Sequence, residues 1–231
     1  MFRTNLRLVA VSALIALAAA MGNGAETERA EGIMGMSEEI ALPPASISGC
    51  LEKILAGRRS VREFTADSLT QQELSQLLWA AQGITSTEGL RTAPSAGATY
   101  PLEIYAAIKR AKGLTPGVYH YLPSSQALER VSAGDPTAEL SLAAPQECVR
   151  EGAVAVIISA VESRTAARYG DRARRYVQME AGHAAQNVLL QAEALGLGAV
   201  PVGAFDDANL QSFLKTQNNV YYILSIGKPR K

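Results

Sequence analysis

The sequence predicts an α+β fold in which a sheet is flanked by helices. Three observations favour it. Residues 153–161 form a nearly uninterrupted apolar run, typical of a central strand covered on both faces. Residues 176–195 repeat apolar side chains at helical spacing, and shorter strand patterns lie before and after these two segments. With 231 residues, 48% of them hydrophobic, the chain is long enough for one domain with a sizeable core.

The first predicted elements are two helices, each marked by a capping residue. Ser48 can cap a short helix that ends near Gly57 and carries three apolar residues, Leu51, Ile54 and Leu55. Thr70 and Glu73 form a capping box that opens a second helix, with a core face of Leu74, Leu77, Leu78 and Ala81. Residues 83–101 are rich in Gly, Ser, Thr and Pro, so we expect a loop there.

The rest of the chain supplies the sheet and the long helix. Besides the central strand, strands are predicted over residues 104–108, 118–121, 128–131 and 220–226. The helix over 176–195 ends at Gly196, and its expected core residues are Met179, Ala185, Val188, Leu189 and Ala192. Asp206 or Asp207 can cap a short helix that follows.

The N-terminus has the order of a secretory signal peptide. Arg3 and Arg7 precede an apolar run over 8–21, which is followed by small residues and then by charged ones. We expect residues 1–25 to be the signal peptide, 26–47 a linker and 48–231 the functional domain. The alternative is an uncleaved membrane anchor, although the run is short for a span of about 20 residues. The expected protein is exported, periplasmic or otherwise extracytoplasmic, and has no stable membrane insertion after cleavage.

Charge and composition narrow the classes of function. The 22 basic residues balance the 22 acidic ones, so no global field attracts nucleic acid, and we expect no nucleic-acid partner. His120 and His183 are the only histidines and show no metal-ligand spacing together with the two cysteines, so we expect no metal. His183, in a stretch of small helical residues, is expected to be packed in the core. Cys50 and Cys148 either pair in an oxidising compartment or remain two buried thiols.

A compact basic segment is the first candidate for chemistry. Arg58, Arg59, Ser60 and Arg62 place three guanidinium groups and a hydroxyl within five positions. In an extended chain Arg58, Ser60 and Arg62 share one face, and such a face suits a phosphate. The alternative is a solvated basic patch at a helix end, where cations also interact favourably with the helix dipole.

Two further segments contain small residues that let a ligand approach the backbone. In residues 91–101 Ser95 could bond a flat ligand, although an ordinary surface loop explains the composition equally well. Residues 196–205 contain a lone G-x-G that follows a helix instead of a strand, which rejects a Rossmann fingerprint. No Walker lysine motif and no G-x-S-x-G serine elbow is present.

Taken in order, these segments resemble the flavin-dependent nitroreductase superfamily, and more closely its SagB-type branch of dehydrogenases that oxidise azoline rings in modified peptides. The resemblance extends from about Leu51 to Arg230 and rests on residues 58–64, 92–103, 182–187 and 196–205. It implies a nitroreductase-like α+β fold with a central, mostly antiparallel sheet, and a homodimer that binds FMN at its interface. The substrate would be a small molecule or a peptide.

The resemblance also implies which residues bind the cofactor. Arg58 matches the position at the phosphate and Arg62 the position nearer the isoalloxazine edge, with Arg59 and Ser60 in the same segment. Lys228 and Arg230 match a C-terminal basic pair that returns to the phosphate.

The remaining matches concern the flavin ring. The loop that reaches across from the other subunit corresponds to Pro94, Ser95 and Ala96. Gly203 and Ala204 match the turn whose backbone N–H approaches the flavin N5. Gln146 would meet the pyrimidine edge, because an amide offers both a donor and an acceptor there.

Two features depart from the branch. Its azoline-oxidising members carry a Lys-Tyr pair where this chain has Arg168-Tyr169, and a guanidinium cannot act as a base as lysine can. Tyr169 could still contact a substrate, but azoline oxidation is not expected. Export would also separate the protein from cytoplasmic nicotinamide donors.

The expected reaction is therefore a two-electron, ping-pong transfer in which the flavin, and no particular side chain, carries the chemistry. The alternatives are a flavin carrier without turnover and a ligand-binding protein that has lost flavin.

The signal-peptide hypothesis predicts the mass of the mature protein. After export, the N-terminus should begin between about Met21 and Glu28, because the small residues that favour cleavage lie there. Intact-mass measurement of the protein recovered from its expression host tests this expectation, and a chain that still begins at Met1 would contradict it.

Overall fold

The computed structural model describes residues 49–230. The predicted signal peptide, the linker and the predicted cap Ser48 lie outside the described residues. The first described helix has Gly49 at its N-cap position, without a side-chain hydrogen bond.

Six strands form a single sheet in the order β3-β2-β1-β4-β6-β5. Every neighbouring pair in the order is antiparallel, which confirms the predicted fold class. The strands are β1 Leu102–Ile108, β2 Gly117–Leu122, β3 Ala127–Ala133, β4 Val154–Ala160, β5 Gly198–Val202 and β6 Asn219–Gly227. All seven residues of β4 are buried, as expected of a central strand.

The described helices are α1 Cys50–Gly57, α2 Gln71–Gln82, α3 Thr137–Ala143, α4 Glu147–Glu151, α5 Glu162–Tyr169, α6 Ala173–Ala194 and α7 Asp207–Leu214. The capping box of Thr70 and Glu73 is present at α2, and Asp206 caps α7 through the backbone N–H of Asn209. Helices α3, α4 and α5 and strand β5 were not predicted. They are short and lack a clear apolar period, so tertiary packing determines them more than local pattern does.

Adjacent residues of β4 contribute to two separate cores. Val156 and Ile158 pack with the buried faces of α2 and α6, whereas Ala155 and Ile157 pack with apolar residues of α3 and α7. This alternation follows from the period of two along a strand. The sheet is therefore covered on both faces, and its β5 edge and the loops at its ends remain available for a site.

Two residues of α6 were misplaced by the sequence prediction. Met179 is 47% exposed and His183 is also exposed, so neither belongs to the core. The helix instead turns Val177, Ala181 and Ala184 toward the sheet, and this stripe places Met179 and His183 on the outer side. The other expected core residues, Ala185, Val188, Leu189 and Ala192, are buried.

The two cysteines are free thiols. Cys50 is exposed at the start of α1 and Cys148 is buried in α4, so they neither pair within the chain nor form two buried thiols. Within residues 49–230 no group of three or more His, Cys, Asp or Glu side chains could hold a metal ion. None of the helices described above has the length and apolarity needed to cross a bilayer.

Candidate functional site

The basic segment and the three residues that follow it, 58–65 in all, lie between the edge strand β5 and the C-terminal tail. Ser60 forms a parallel bridge with Ala199 of β5. Farther along, the backbone N–H of Thr65 donates to the carbonyl oxygen of Lys228 at 2.9 Å. The segment that carries Arg58, Arg59 and Arg62 and the tail that carries Lys228 and Arg230 are thus neighbours, as the resemblance implies.

Two glycines make this close packing possible. A Cβ atom at Gly198 would lie only 2.7 Å from a methyl carbon of Val61, and one at Gly227 would lie 3.0 Å from ring atoms of Phe64. Because real Cβ contacts at such distances are tight or forbidden, any larger residue would push the basic segment away from β5 and β6.

The arginines of the basic segment carry positive charge without a carboxylate partner. In the described chain Arg58, Arg59 and Arg62 form no ion pair. Arg59 donates to the carbonyl oxygen of Ala56 at 2.8 Å, and Arg62 donates to that of Ser60 at 3.4 Å. Uncompensated guanidinium groups beside a hydroxyl form a suitable site for an anion.

The C-terminal pair is different, because carboxylates already neutralise it. Lys228 donates to Glu73, and Arg230 lies 3.2 Å from a carboxylate oxygen of Glu151. Burial raises the pKa of Glu73, but hydrogen bonds from Lys228 and Thr70 more than offset it, so the net pKa is lowered. The backbone N–H of Phe64 and then Arg230 lower the pKa of Glu151. Both acids therefore stay charged at neutral pH, and the pair anchors the tail.

At the other end of β5 the structure brings Gln146 and Ala204 together. The Nε2 of Gln146 donates to the carbonyl oxygen of Ala204 at 2.5 Å, while its Oε1 is buried without a hydrogen-bond partner in the described chain. Gly203 is exposed, and a Cβ atom built on it would meet nothing within 4 Å. A buried acceptor beside an open backbone turn fits a ligand edge that presents an N–H group, as the pyrimidine edge of a flavin does.

The third candidate segment, the loop that contains Pro94, Ser95 and Ala96, is bent by unusual backbone angles. Ala98 and Tyr100 have positive φ values of 52° and 44°, which non-glycine residues adopt rarely and at a cost. The Oγ of Ser95 accepts the backbone N–H of Tyr100 at 2.9 Å and thereby closes the bend.

Helix α5 holds this loop in place. Arg164 donates to the carbonyl oxygen of Tyr100 at 3.2 Å, and Arg168 donates to that of Gly97 at 3.3 Å. The hydroxyl of Tyr169 lies so close that a Cβ atom on Gly97 would be 2.6 Å from it. Within one described chain, no hydrogen bond joins the loop to the basic segment or to the turn at Gly203. Tyr169 as a substrate contact stays a prediction.

A buried acid behind the loop was missed by the sequence analysis. Glu180 of α6 is only 2% exposed, and one of its carboxyl oxygens has no partner in the described chain. Burial raises its pKa to about 7, against the opposing effects of a hydrogen bond from Ser95 and the charge of Arg91. The signal was present in the sequence, because Glu180 lies three residues after Val177 on the core face of the helix.

Comparison with known proteins identifies relatives of the whole described domain. The model of the nitroreductase family matches residues 55–228. A Methanocaldococcus jannaschii protein, provisionally named a nitroreductase, is 44% identical over 196 residues, which cover 84% of this chain and 98% of that protein. A crystal structure of a provisionally named nitroreductase from Anabaena variabilis has a TM-score of 0.69 and 31% identity. It matches 78% of this chain, which spans only 38% of that longer chain.

Two structures with lower identity share the fold. The Escherichia coli microcin synthetase McbBCD complex with truncated pro-MccB17 bound has a TM-score of 0.66 at 22% identity, over 92% of this chain and 84% of that one. A provisionally named nitroreductase from Desulfovibrio desulfuricans, solved in complex with FMN, has a TM-score of 0.59 at 19% identity. That match covers 80% of this chain and 88% of the other.

The raised pKa of Glu180 predicts how stability depends on pH. Between about pH 4.5 and 7 the folded chain keeps a proton on Glu180 that the unfolded chain releases, so stability should fall as the pH rises through this window. The loss is on the order of 3 kcal/mol. Glu180→Gln, which mimics the neutral carboxyl, should flatten the urea-denaturation free energy over that range. Glu193→Gln on the same helix is the control and should keep the slope. An unchanged slope in Glu180→Gln would contradict the assignment.

Proposed function

This chain belongs to the nitroreductase family, and on that premise we propose that it is an FMN-dependent oxidoreductase that transfers two electrons by a ping-pong mechanism. One observation carries the proposal: a buried, unpartnered amide oxygen of Gln146 lies beside the open turn at one end of β5, and unpaired arginines lie along its other end. Ala199 and Ala204 are five residues apart, or about 17 Å along an extended chain. A flavin nucleotide can bridge such a span.

Each end of the site then has a defined task. Arg58 and Ser60 bind the phosphate, with Arg59 and Arg62 adding positive charge. At the ring end Gln146 orients the pyrimidine edge, and the backbone N–H groups of Gly203 and Ala204 face the ring. When bound, FMN supplies the two-electron chemistry itself, so the protein contributes position and electrostatics. The FMN complex of the Desulfovibrio desulfuricans structure supports this choice of cofactor.

Within the family we propose that the chain is closest to the SagB-type branch but does not oxidise azolines. The motifs of residues 58–64, 92–103, 182–187 and 196–205 support the branch. Arg168 donates to the carbonyl oxygen of Gly97, and a guanidinium at this position cannot act as the base that lysine provides in the azoline-oxidising members. The remaining candidates are small molecules or peptides that contact Tyr169, whose hydroxyl lies against the same loop.

We also propose a homodimer in which Pro94, Ser95 and Ala96 complete the site of the partner. Large apolar side chains are exposed on the two packed helices α1 and α6: Leu51 at 57%, Leu55 at 49% and Met179 at 47%. A second copy of the chain that packed against both helices would bury these side chains together. With the interface formed, the loop could reach a second flavin site that it does not reach within one chain.

The place of action is proposed from the N-terminus alone. The basic start, apolar run and small-residue end support export before the cofactor is bound. An extracytoplasmic enzyme would need an electron donor other than the nicotinamide nucleotides, which are scarce there.

The phosphate contact gives the first test of the proposed function. The purified protein should be yellow, or become yellow with FMN, and should bind FMN more tightly than riboflavin. Arg58→Ala should weaken FMN binding by about 1.5–3 kcal/mol, the usual contribution of a hydrogen bond to a charged group. Arg130→Ala, at the opposite edge of the sheet, is the control and should have no effect. Fluorescence titration measures both constants, and equal affinity for the two flavins would refute the phosphate site.

The same preparation separates an enzyme from a flavin carrier. When the photoreduced protein is mixed anaerobically with a nitroaromatic compound, its flavin should be reoxidised, and the cycle of photoreduction and reoxidation should be repeatable. In a ping-pong mechanism the rate of reoxidation should not depend on how the flavin was reduced. Flavin that stays reduced under these conditions would leave binding intact and reject the proposed turnover.

The dimer predicts a link between assembly and cofactor binding. Met179→Glu should shift the protein toward the monomer, because it places a charge on the proposed apolar interface, and FMN affinity should fall with it. Leu142→Glu on α3 is the matched control, since Leu142 is 75% exposed away from α1 and α6. Multi-angle light scattering measures the mass. A wild-type monomer that holds one FMN per chain would rule out the shared site.

A further inference from the structure

A cavity of about 370 Å³ lies behind the strained loop, away from the β5 edge. It is formed by Tyr100 of the loop, the beginning of β1 and the end of β2. Leu102, Ile104 and Leu122 give it apolar walls, and Arg91 and Tyr121 are among its polar residues. Its size is that of a site for a small organic molecule.

Tyr121 contributes an unsatisfied polar group to this cavity. The residue is only 3% exposed, and its hydroxyl is buried without a hydrogen-bond partner in residues 49–230. Buried hydroxyls in proteins are normally bonded, so an unbonded one that lines a cavity indicates a missing partner. A second cavity of about 330 Å³, against α2, also touches Tyr121. Burial raises the pKa of Tyr121, and the positive charge of Arg91 opposes this rise. Arg91 lines only the first cavity, so we associate the Tyr121 hydroxyl with that cavity.

Arg91 is held rigidly with unused hydrogen-bonding capacity. One terminal nitrogen donates to the side-chain oxygen of Gln82 at 2.8 Å, and the guanidinium carbon lies 4.7 Å from the centre of the Tyr100 ring. Its Nε is buried and has no partner in the described chain, and Arg91 forms no ion pair there. The group is therefore a fixed, partly desolvated cation without a directly bonded carboxylate in the described chain.

Burial lowers the pKa of Arg91 and the charges of Glu103 and Glu180 oppose this, but neither carboxylate forms an ion pair with Arg91 in the described chain. Glu103 is bonded to His120 at 2.6 Å and to Arg164 at 2.6 Å, so both of its oxygens are already engaged. The groups left without partners, the Arg91 Nε and the Tyr121 hydroxyl, are both able to donate. A ligand must therefore bring acceptors and negative charge.

We propose that this cavity binds a small carboxylic acid with a flat, apolar body. Its carboxylate would accept hydrogen bonds from Arg91 and Tyr121, and its body would pack on Leu102, Ile104 and Leu122 beside the Tyr100 ring. Such a ligand would satisfy the two orphaned donors and give Arg91 a direct ion-pair partner. This inference stands independently of the proposed function, because it uses none of the residues at the β5 edge.

Calorimetric titration of the full-length protein, with whatever cofactor it carries, tests the site with benzoate as the probe. Benzoate should bind saturably at one molecule per chain, whereas benzyl alcohol, with the same ring but no charge, should not bind. Tyr121→Phe should weaken benzoate about tenfold, the usual effect of losing a hydrogen bond to a charged group. The thermal stability of this variant should not fall, because the hydroxyl that it removes is unbonded.

Tyr119→Phe is the matched control. Tyr119 lies on the same strand, but its hydroxyl bonds to Thr115 and does not line the cavity, so benzoate affinity should be unchanged. Failure of benzoate to saturate, equal binding of benzyl alcohol, or the same affinity in wild type and Tyr121→Phe would each overturn the proposal. Benzoate that binds only by perturbing a bound flavin, regardless of Tyr121, would place it at the flavin and also overturn it.

Discussion

The arrangement of the candidate site depends on one close backbone approach, that of the basic segment to β5 and the end of β6. Gly198 and Gly227 allow it, because a Cβ atom at either position would collide with Val61 or Phe64. Once the segment is in place, its backbone groups pair with Ala199 and with the C-terminal tail. Residues from both ends of the domain thereby meet at one sheet edge, although more than a hundred positions separate them in the chain.

Charge compensation divides the basic residues of that edge into two groups with different roles. Lys228 and Arg230 are matched with Glu73 and Glu151, so they fasten the tail. Their contact with a phosphate stays a prediction. The arginines of the basic segment have no such match and remain free to respond to an anion. Glu73 connects the C-terminal tail to α2, because the carboxylate that closes the capping box of this helix also pairs with Lys228.

Much of the fold could be predicted from sequence because strong local signals coincide with it. The capping box, the apolar run of β4 and the helical period of α6 each reflect an energy term that acts over a few residues. The predictions failed where tertiary packing, and no local signal, determines the structure. Met179 and His183 were misplaced because the orientation of α6 is set by what it packs against, and β5 was missed because a five-residue edge strand with Gly and Pro has little intrinsic preference. For the site, the order of residue types indicated the segments, but the contact of Gln146 with Ala204 and the ion pair of Lys228 depend on how distant segments fold together.

The position of β6 in the sheet has a consequence for how the molecule is made. Strand β6 lies between β4 and β5 and follows both of them in the chain. Until residues 219–227 have been made, β4 can pair only with β1, and β5 has no partner in the sheet. A chain synthesised only as far as β5 therefore lacks the strand that closes the sheet, and the cores on both faces stay incomplete. Assembly of the sheet is therefore postponed until β6 has been made, and its long-range contacts form late.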